Sequence, residues 1–538
     1  MSRDNWVAVL VAMAVWVVVE GSEGYCTMDE KGETRCGETG SRYVPSRPNV
    51  VLLLADDLGY GDLASYGSPT QEPGALDRMA SQGVRFTQFY SADSMCSPSR
   101  VGLLTGRLPV RSGIVGGRRV FVDFDTGGLP AEEITIAEAL RDLGYATGFV
   151  GKWHLGINSK NNTDGVHLPS WHGFDFVGHN LPLTDLWQCD ESGSLMKNGP
   201  DRSKCYVYNG NKIVQQPISH SSLTGRFLDD FRLFLNSTRD RNPEKPFFFY
   251  FSFHQVHTSL ETSPRFSGRS KRGPFGDSVN ELHDAVGQIL DTIQSRPGLS
   301  DRTLVVFMSD HGPHVEACTY GGSTGGLRGG KGNSFEGGVR VPAVAYWPNV
   351  IQAGSVSDAV LSSLDILPSL VALAGGVLAG DRVYDGLDAH EALMAAKESV
   401  VLERLKKRTL YFYCNEKLAS TRHRNLKFHL LTSAEVSGQE MEKYCPNGGK
   451  PIKDWYKAQL CFDGDMKKHD PPLVFDLNRD PFERYPLGEE ATREAWEKVK
   501  VLVEKHKKTI KDVEKQLGKF NPKVIPCCDE PKCECNYP

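Results

Sequence analysis

Several features are scarce or missing in this chain of 538 residues. Its formal net charge at pH 7 is only −5, and it has no basic stripe or alternation of basic and aromatic residues, so nucleic acid is excluded as an expected partner. Beyond the N-terminus no apolar run reaches membrane-spanning length without charges, and no membrane span is expected in the mature chain. Internal repeats are also missing. These absences indicate a globular protein, and its length of 538 residues predicts more than one structural unit.

The N-terminus has the pattern of a secretory signal peptide. Arg3 precedes an apolar run from Trp6 to Val19, and small residues follow between Gly21 and Gly24. A run of about fourteen residues is typical of a signal h-region and is short for a membrane span. An uncleaved anchor is the alternative. We predict a signal peptide over residues 1–24 and a secreted, extracellular protein of the secretory pathway, with lysosomal delivery as the alternative.

Cysteine usage agrees with that compartment. The chain has 13 cysteines, and an odd count leaves one unpaired in an oxidising environment. Setting Cys96 aside leaves an even number. The four cysteines between Cys527 and Cys535 favour a disulfide knot over a zinc site, because adjacent cysteines suit tetrahedral zinc poorly. Sequons at Asn161–Thr163 and Asn236–Thr238 are consistent with glycosylation.

Alternating strands and helices indicate an α/β layered fold. Asn49–Ala55 is a continuous apolar run with β-branched residues, typical of a strand buried on both faces of a parallel sheet. Ligands usually bind at the carboxyl ends of such strands, so the residues that follow them are candidate site residues. Further strands are predicted at Tyr145–Val150, Pro246–Phe253 and Thr303–Met308, and helices at Gly74–Ser81, Ile134–Leu143 and Glu281–Ile293.

The pattern changes near Thr409, where a smaller C-terminal domain is predicted. Its apolar residues recur every three or four positions from Trp496 to Leu517, which indicates a helix packed on a sheet. Its short strands are predicted at Leu410–Tyr413, Leu426–Leu431 and Leu473–Leu477. The predicted units are a signal peptide (1–24), a disulfide-containing segment (25–46), a main domain (47–405) and a C-terminal subdomain with a cysteine-rich tail (406–538).

Paired acidic residues follow two of the predicted strands. Asp56 and Asp57 end the first run, and Asp310 and His311 end a later one. An isolated pair of aspartates is more often a solvated turn, but two strands that end in the same way favour a metal site. Buried adjacent anions need a cation, and oxygen ligands suit Ca²⁺ or Mg²⁺. Histidine is a softer ligand, so His311 either binds the ion or only hydrogen-bonds beside it.

Cys96 opens the run Cys96–Arg100 (CSPSR). Ser97 can cap a helix and Pro98 suits its first turn, so Cys96 is predicted at a helix N-terminus, where the helix dipole favours an anion. Taken alone, a free cysteine is often only a small buried apolar residue. Sequence blocks elsewhere in the chain distinguish a functional Cys96 from a cysteine that is only buried.

The run Cys96–Arg100 resembles the signature of the type I sulfatases. The resemblance extends from about Asn49 to the last cysteine, and it is closest to animal arylsulfatases and sterylsulfatase-like enzymes. Other blocks that match this family are ADDLG at 55–59, GKWHLG at 151–156, the segment 252–257, SDHG at 309–312 and RGGKG at 328–332.

The resemblance implies both a fold and an activity. The fold is an alkaline-phosphatase-like α/β/α sandwich with a large mixed sheet, plus a C-terminal α+β domain with a four-stranded antiparallel sheet. The main domain would be the catalytic sulfatase domain of an arylsulfatase-type sulfuric ester hydrolase. The formylglycine-generating enzyme would convert Cys96 to formylglycine (3-oxoalanine) during secretion. The hydrated aldehyde attacks the sulfur of a sulfate ester, a covalent sulfate ester forms, and the alcohol or phenol leaves before sulfate.

Roles follow from the same matches, residue by residue. His154 would take the proton of the second hydroxyl, and His257 would protonate the leaving oxygen, with His254 as its local rival. One divalent cation, Ca²⁺ with Mg²⁺ as the alternative, would be held by Asp56, Asp57, Cys96, Asp310 and His311. Many family members have an amide where this chain has His311. The cationic cradle for the sulfate would consist of Arg100, Lys152 and Lys331.

The same resemblance implies disulfides, and two other functions stay open. The implied disulfides are Cys26–Cys36, Cys189–Cys205, Cys318–Cys445, Cys414–Cys461, Cys527–Cys533 and Cys528–Cys535. The first alternative function is a phosphate or phosphonate ester hydrolase on the same fold, against which the complete CSPSR block argues. The second is a secreted matrix or binding protein that keeps the fold without turnover.

Overall fold

The computed structural model describes residues 26–28, 34–36, 47–183, 205–216, 218–395, 400–433, 444–446, 449, 461 and 466–526. The chain divides into two compact units, 1–44 and 45–538. In the first, strand β1 (Cys26–Met28) pairs antiparallel with β2 (Thr34–Cys36), and Cys26 lies opposite Cys36 in the register. The predicted disulfide between them stays a prediction, as does the domain boundary near residue 405.

A large mixed sheet lies at the centre of the 45–538 unit. Its strands are β3 (Asn49–Ala55), β4 (Val84–Tyr90), β5 (Ala146–Lys152), β6 (Phe176–Leu181), β7 (Val207–Asn209), β8 (Lys212–Gln215), β9 (Phe247–Ser252), β10 (Thr303–Ser309), β11 (Arg340–Tyr346), β12 (Ser355–Ser357) and β13 (Leu361–Ser362). Among the described residues their order is β12-β4-β11-β10-β3-β9-β5-β6-β7-β8, with β13 also paired to β4. The central strands β10, β3, β9, β5 and β6 run parallel.

Helices cover both faces of the sheet. Alternate residues of β3 enter separate apolar cores, since Leu52 and Leu54 lie in one and Leu53 and Ala55 in the other. The first core includes helices α2 (Cys96–Thr105), α4 (Ile136–Asp142) and α8 (Ile366–Leu373), and the second includes α1 (Ala75–Gln82), α5 (His220–Arg241) and α6 (Pro274–Gln294). Shorter helices are α3 (Pro109–Ser112), α7 (Glu336–Val339), α9 (His390–Leu393) and α10 (Val400–Lys406). The predicted α/β/α sandwich is confirmed.

The C-terminal region adds the predicted four-stranded antiparallel sheet. Its strands, in spatial order, are β14 (Thr409–Cys414), β15 (Lys417–His423), β16 (Leu426–Ser433) and β17 (Met466–Asp476). Helix α11 (Glu489–Lys507) packs Val499 and Val503 into a core that it shares with this sheet. Disulfides Cys318–Cys445 and Cys414–Cys461 form as predicted, and Cys205 is disulfide-bonded. Its predicted partner Cys189 and the tail cysteines lie outside the described residues.

Two local predictions were wrong. The apolar stripe predicted a helix up to Leu517, but α11 ends at Lys507, after which the chain runs along the main domain and buries Leu517 in its core. Apolar spacing cannot distinguish these cases, because an extended segment also buries residues at intervals. Ser97 does not cap α2, since its hydroxyl donates to the carbonyl of His154 (2.8 Å) and the N-cap position belongs to Met95. Within the described residues, no helix has the length and apolarity to cross a membrane.

A buried charge cluster joins the small sheet to the loop that carries Lys331. Glu336, which begins α7, is fully buried and accepts from Lys427 of β16 (2.9 Å) and from Tyr90 (2.7 Å). Its backbone N–H donates to Glu483 (2.6 Å), whose other oxygen contacts His429 (2.6 Å). Burial alone would raise the pKa of Glu336, but Lys427 and the nearby arginines lower it to about 2.

Lys427 should therefore contribute to the stability of the whole fold. Lys427→Met keeps the aliphatic stem but leaves two buried carboxylates short of a cation, and we expect a loss of about 3 kcal/mol in the free energy of unfolding, measured by urea denaturation. Lys498→Met is the matched control, since its ion pair with Glu494 is exposed and should contribute less than about 0.5 kcal/mol. Equal effects of the two substitutions would contradict the role assigned to the cluster.

Candidate active site

Neighbouring strands bring the acidic residues together. Strands β3 and β10 are parallel partners in which Ala55 lies opposite Ser309, so Asp56 and Asp310 leave the same edge of the sheet. The N–H of Asp57 donates to Asp310 Oδ1 (3.1 Å). Asp57 has a φ of 59°, a left-handed conformation that aspartate tolerates better than most residues. Buried parallel strands thus place three carboxylates in one spot.

Cys96 lies at the N-terminus of α2 and faces these residues, as predicted. Its Sγ lies 3.2 Å from His311 Nε2 and 4.0 Å from Asp56 Oδ1. The start of the helix is fixed to β10, because the hydroxyl of Ser99 donates to the carbonyl of Asp310 (2.5 Å). Cys96 is 1 % exposed and is the free cysteine among the residues that the structure describes.

Three buried cations neutralise the three carboxylates. Lys152, at the end of β5, pairs with Asp56 Oδ2, and Lys331 contacts both oxygens of Asp57 (2.7 and 2.8 Å). Arg100 of α2 donates to Asp310 Oδ2 (2.8 Å) and lies 3.4 Å from Asp56 Oδ1. Its other terminal nitrogen donates to Ser252 Oγ (2.7 Å) and to the Lys152 carbonyl (3.1 Å). Arg100 is fully buried among these partners and fixes the carboxylates in place.

The electrostatics favour anions at residue 96 and positive charge at its neighbours. Burial would raise the pKa of the Cys96 thiol, but Lys152, Lys331 and His311 lower it to about 5. Burial would also raise the pKa of Asp56, yet Lys152 and Arg100 hold it well below its usual value. For His311, burial favours the neutral ring, whereas Asp310 and Cys96 raise its pKa to about 9. The neighbours of Cys96, Asp56 and His311 thus favour the charged form of each of these groups.

Both candidate histidines are buried, and each has one ring nitrogen near a backbone carbonyl. His154 has a φ of 58° and is fully buried, with Nε2 3.1 Å from the carbonyl of Phe121. Burial, together with Lys152 and Arg100, holds its pKa well below the usual value, so the ring is neutral and Nδ1 is its acceptor atom. Nδ1 of His257 lies 2.5 Å from the carbonyl of Thr258, and burial lowers the pKa of His257 to about 4.

The structure separates His257 from its local rival. A ligand atom of His257 lies within 4.8 Å of those of Cys96 and Asp57. His254 instead contacts the ring of Phe227 (centroids 6.0 Å apart), and burial followed by the charge of His220 lowers its pKa to about 3. His257 therefore faces the candidate nucleophile position, and His254 belongs to the supporting layer.

Sequence reasoning missed two neighbours of the site. His314 is buried with Nδ1 4.0 Å from Asp57 Oδ2. In the sequence, only its position three residues after His311 indicated that His314 could lie near the site. That spacing predicts a contact only if the chain turns at Gly312-Pro313, which the sequence did not establish. Ser252, the last residue of β9, accepts from Arg100, and its place at a strand end was the only clue.

The donor atoms fit a divalent cation. Single ligand atoms of Asp56, Cys96, Asp310 and His311 all lie within 4.8 Å of one another, and all four side chains are buried. His311 Nδ1 lies 2.8 Å from the Gly312 carbonyl, a second contact that orients Nε2 toward the other donors, as is usual for metal-binding histidines. Asp57 Oδ1 also lies near this set, 3.4 Å from His311 Nε2, and Asp57 forms a second group of possible ligands with Cys96 and His257.

The comparisons with known proteins identify the family. The model of the sulfatase family matches residues 48–377, and the model of the C-terminal region of aryl-sulfatase matches residues 405–535. The chain belongs to the sulfatase family. It is 44 % identical to the arylsulfatase of Hemicentrotus pulcherrimus over 91 % of this chain and 87 % of that protein. It is 34 % identical to the steryl-sulfatase of Homo sapiens, over 92 % and 95 % of the two chains.

A solved structure supports the same assignment. A sulfatase from Pseudoalteromonas sp. superposes with a TM-score of 0.70 at 26 % identity, covering 88 % of this chain and 92 % of that one. The sulfatase is thus a sulfuric ester hydrolase of the arylsulfatase type, and the predicted resemblance to animal arylsulfatases and steryl-sulfatases is confirmed. The family match and these relatives favour sulfate ester hydrolysis over the two alternatives, a phosphate or phosphonate ester hydrolase and a secreted matrix or binding protein.

Arg100 should be irreplaceable in this sulfatase even by lysine. Arg100→Lys keeps the charge but cannot reach the carboxylates, Ser252 and the Lys152 carbonyl at once, so we expect the free energy of unfolding to fall by about 2 kcal/mol. Arg265→Lys is the control, because Arg265 is 58 % exposed in its ion pair with Asp284 and should change stability by less than about 0.5 kcal/mol. Calorimetric or urea unfolding of both variants would show the difference, and a neutral Arg100→Lys would refute the argument.

Proposed function

We propose that this sulfatase uses formylglycine formed from Cys96 by the formylglycine-generating enzyme, together with one divalent cation, to hydrolyse sulfate esters. The observation that carries the proposal is the position of Cys96, which is buried between Asp56, Asp310 and His311 and lies within the field of Lys152 and Lys331. In its hydrated form the aldehyde would supply a hydroxyl nucleophile and, on the same carbon, a second hydroxyl for release of sulfate.

Calcium is the proposed ion. Asp56, Asp57 and Asp310 offer carboxylate oxygens, and a formylglycine at residue 96 would replace sulfur by oxygen, which together form the donor set that Ca²⁺ prefers. His311 would be the one nitrogen ligand. Arg100 and the lysines offset the carboxylates one for one, so that a divalent ion and an anionic ester can enter together without leaving a large net charge.

The lysines are proposed to bind the sulfate. An ammonium group has three N–H donors. Lys152 uses one on Asp56 and Lys331 uses two on Asp57, so each keeps donor capacity for a sulfate oxygen. Both are buried and rigidly held, and preorganised charge of this kind usually makes the largest contribution to catalysis. The Glu336 cluster described above holds the loop of Lys331 in place.

The histidines are proposed to move protons at opposite ends of the reacting bond. His257 presents Nε2 to the site because Nδ1 is held by the Thr258 carbonyl. Because burial lowers its pKa to about 4, Nε2 must first take up a proton, which the negative charge of a bound sulfate ester would favour, and the protonated ring would then donate that proton to the leaving oxygen. His154, neutral with Nδ1 as acceptor, suits acceptance of the proton from the second hydroxyl.

We further propose that the protein acts in the secretory pathway, either after export or in the lysosome. The signal-like N-terminus and the disulfides Cys318–Cys445 and Cys414–Cys461 support this, because disulfides persist in oxidising compartments. The alcohol part of the substrate, whether steroid, glycan or lipid, is selected by loops in which no motif identifies the ligand.

The state of residue 96 tests the proposed nucleophile. A peptide spanning Cys96 from the secreted protein should be lighter than its encoded mass by about 18 Da, because CH₂SH becomes CHO. Cys96→Ser, which cannot be converted by the same oxidation, should lose essentially all hydrolysis of an aryl sulfate. An intact thiol in protein that turns over sulfate esters at full rate would eliminate the proposal.

Leaving-group dependence tests the role of His257. His257→Gln should slow hydrolysis of an alkyl sulfate by about 100-fold or more, because a poor leaving group needs a proton, and should slow hydrolysis of nitrophenyl sulfate by less than about 10-fold. His254→Gln is the control and should affect both substrates equally and weakly. Steady-state kcat/KM for the two esters gives the comparison. If His257→Gln slows both esters to the same extent, His257 is not the general acid.

A further inference from the structure

With Cys96 as encoded, the site contains a donor set that the converted enzyme would not have. Four inner atoms converge, namely Cys96 Sγ, His311 Nε2 and one oxygen each of Asp56 and Asp310, all within 4.8 Å of one another. Individual separations are 3.2 Å from Sγ to His311 Nε2, 3.6 Å from that nitrogen to Asp310 Oδ1 and 4.0 Å from Sγ to Asp56 Oδ1. These are close to the roughly 3.3–3.8 Å edges of a tetrahedron with zinc–ligand bond lengths.

Three of these four ligands are oriented by a second contact. His311 Nδ1 is held by the Gly312 carbonyl (2.8 Å), Asp310 Oδ2 by Arg100 (2.8 Å) and Asp56 Oδ2 by Lys152. The outer atoms are thus fixed. The inner oxygens also have protein neighbours, since Asp310 Oδ1 accepts from the N–H of Asp57 (3.1 Å) and Asp56 Oδ1 lies 3.4 Å from Arg100. Such outer contacts are the usual accompaniment of a metal site, and they argue against an accidental cluster.

The chemistry of the donors selects the ion. Thiolate and imidazole are ligands of Zn²⁺, which takes four donors in a tetrahedron, whereas Ca²⁺ prefers oxygen alone and more of it. We propose that the folded but unconverted protein binds Zn²⁺ through Cys96, His311, Asp56 and Asp310, and that conversion of residue 96 changes the preferred ion to an oxygen-seeking one. Binding requires no oxidant, since the thiol proton is released to solvent as the sulfur–zinc bond forms.

The zinc site depends only on encoded side chains and their geometry, while the change of ion depends on the proposed function, because it needs formylglycine at residue 96. A zinc-held thiolate would make the metal content of a preparation report how much of the protein escaped conversion. It would also occupy the site that the catalytic ion needs.

Cobalt provides the spectroscopic test, since Co²⁺ occupies zinc sites and a thiolate ligand gives a sulfur-to-cobalt absorption band in the near-ultraviolet. Full-length protein is produced with and without the formylglycine-generating enzyme, and the state of residue 96 is fixed by peptide mass. Metal-free samples are then titrated with Co²⁺ and, as a competitor, Zn²⁺. The unconverted protein should show the band at one equivalent and lose it to Zn²⁺, and the converted protein should show none.

Two variants make the result specific. Cys96→Ser in the unconverted background keeps the other three donors and should abolish the band, with circular dichroism as the check on folding. His311→Asn should weaken Zn²⁺ binding by at least about 10-fold while leaving an oxygen donor in place. A band that survives Cys96→Ser would come from other cysteines, such as those of the tail, and would overturn the proposal, as would a folded unconverted protein without a band.

These outcomes separate the inference from the proposed function. Failure to find an aldehyde at residue 96 in active protein removes the proposed nucleophile but leaves the cobalt titration of the thiol form valid. Conversely, a converted and active enzyme whose unconverted form binds no Co²⁺ through sulfur removes the zinc site and leaves the proposed mechanism intact. A converted form that retains the same preference for Zn²⁺ over Ca²⁺ would overturn the change of ion.

Discussion

The structure depends on the mutual neutralisation of buried charges at one edge of the central sheet. Asp56, Asp57 and Asp310 are almost completely buried, where an isolated carboxylate could not remain ionised. They persist because Lys152, Lys331 and Arg100 lie against them. Removing any one of these charges would leave another buried without its partner, so the six side chains form one interdependent polar cluster.

The parallel strands of the central sheet bring these charged residues together. Adjacent strands that run in the same direction end at the same edge, so residues more than 250 positions apart in sequence, such as Asp57 and Asp310, become hydrogen-bonded neighbours. Helix α2 enters the same edge with Cys96 first, and Ser99, in its first turn, donates a hydrogen bond to Asp310, which directly follows β10. The apolar residues that alternate along β3 build two cores, and those cores hold the edge in place.

The C-terminal region, together with Arg119 of the main domain, holds the loop that carries Lys331. Lys427 and Glu483 contact Glu336 at the start of α7, and Arg119 donates to the Gly332 carbonyl (2.7 Å) beside Lys331. The loop that carries Lys331 is thus held between the large sheet and the small one. A lysine on a glycine-rich loop gains a fixed position through such contacts.

The sequence by itself determined the strands that carry the site and the residues at their ends. Continuous apolar runs such as Asn49–Ala55 are local signals of a buried parallel strand, and the blocks around Cys96, Lys152, Asp310 and Lys331 are contiguous. Only the tertiary structure decided that His257 and not His254 faces Cys96, that Arg100 holds carboxylates, that His314 borders Asp57, and that α11 stops at Lys507. The physical reason is that these facts concern which side of a loop points inward and which partner is near, and both are fixed by contacts between segments distant in the chain.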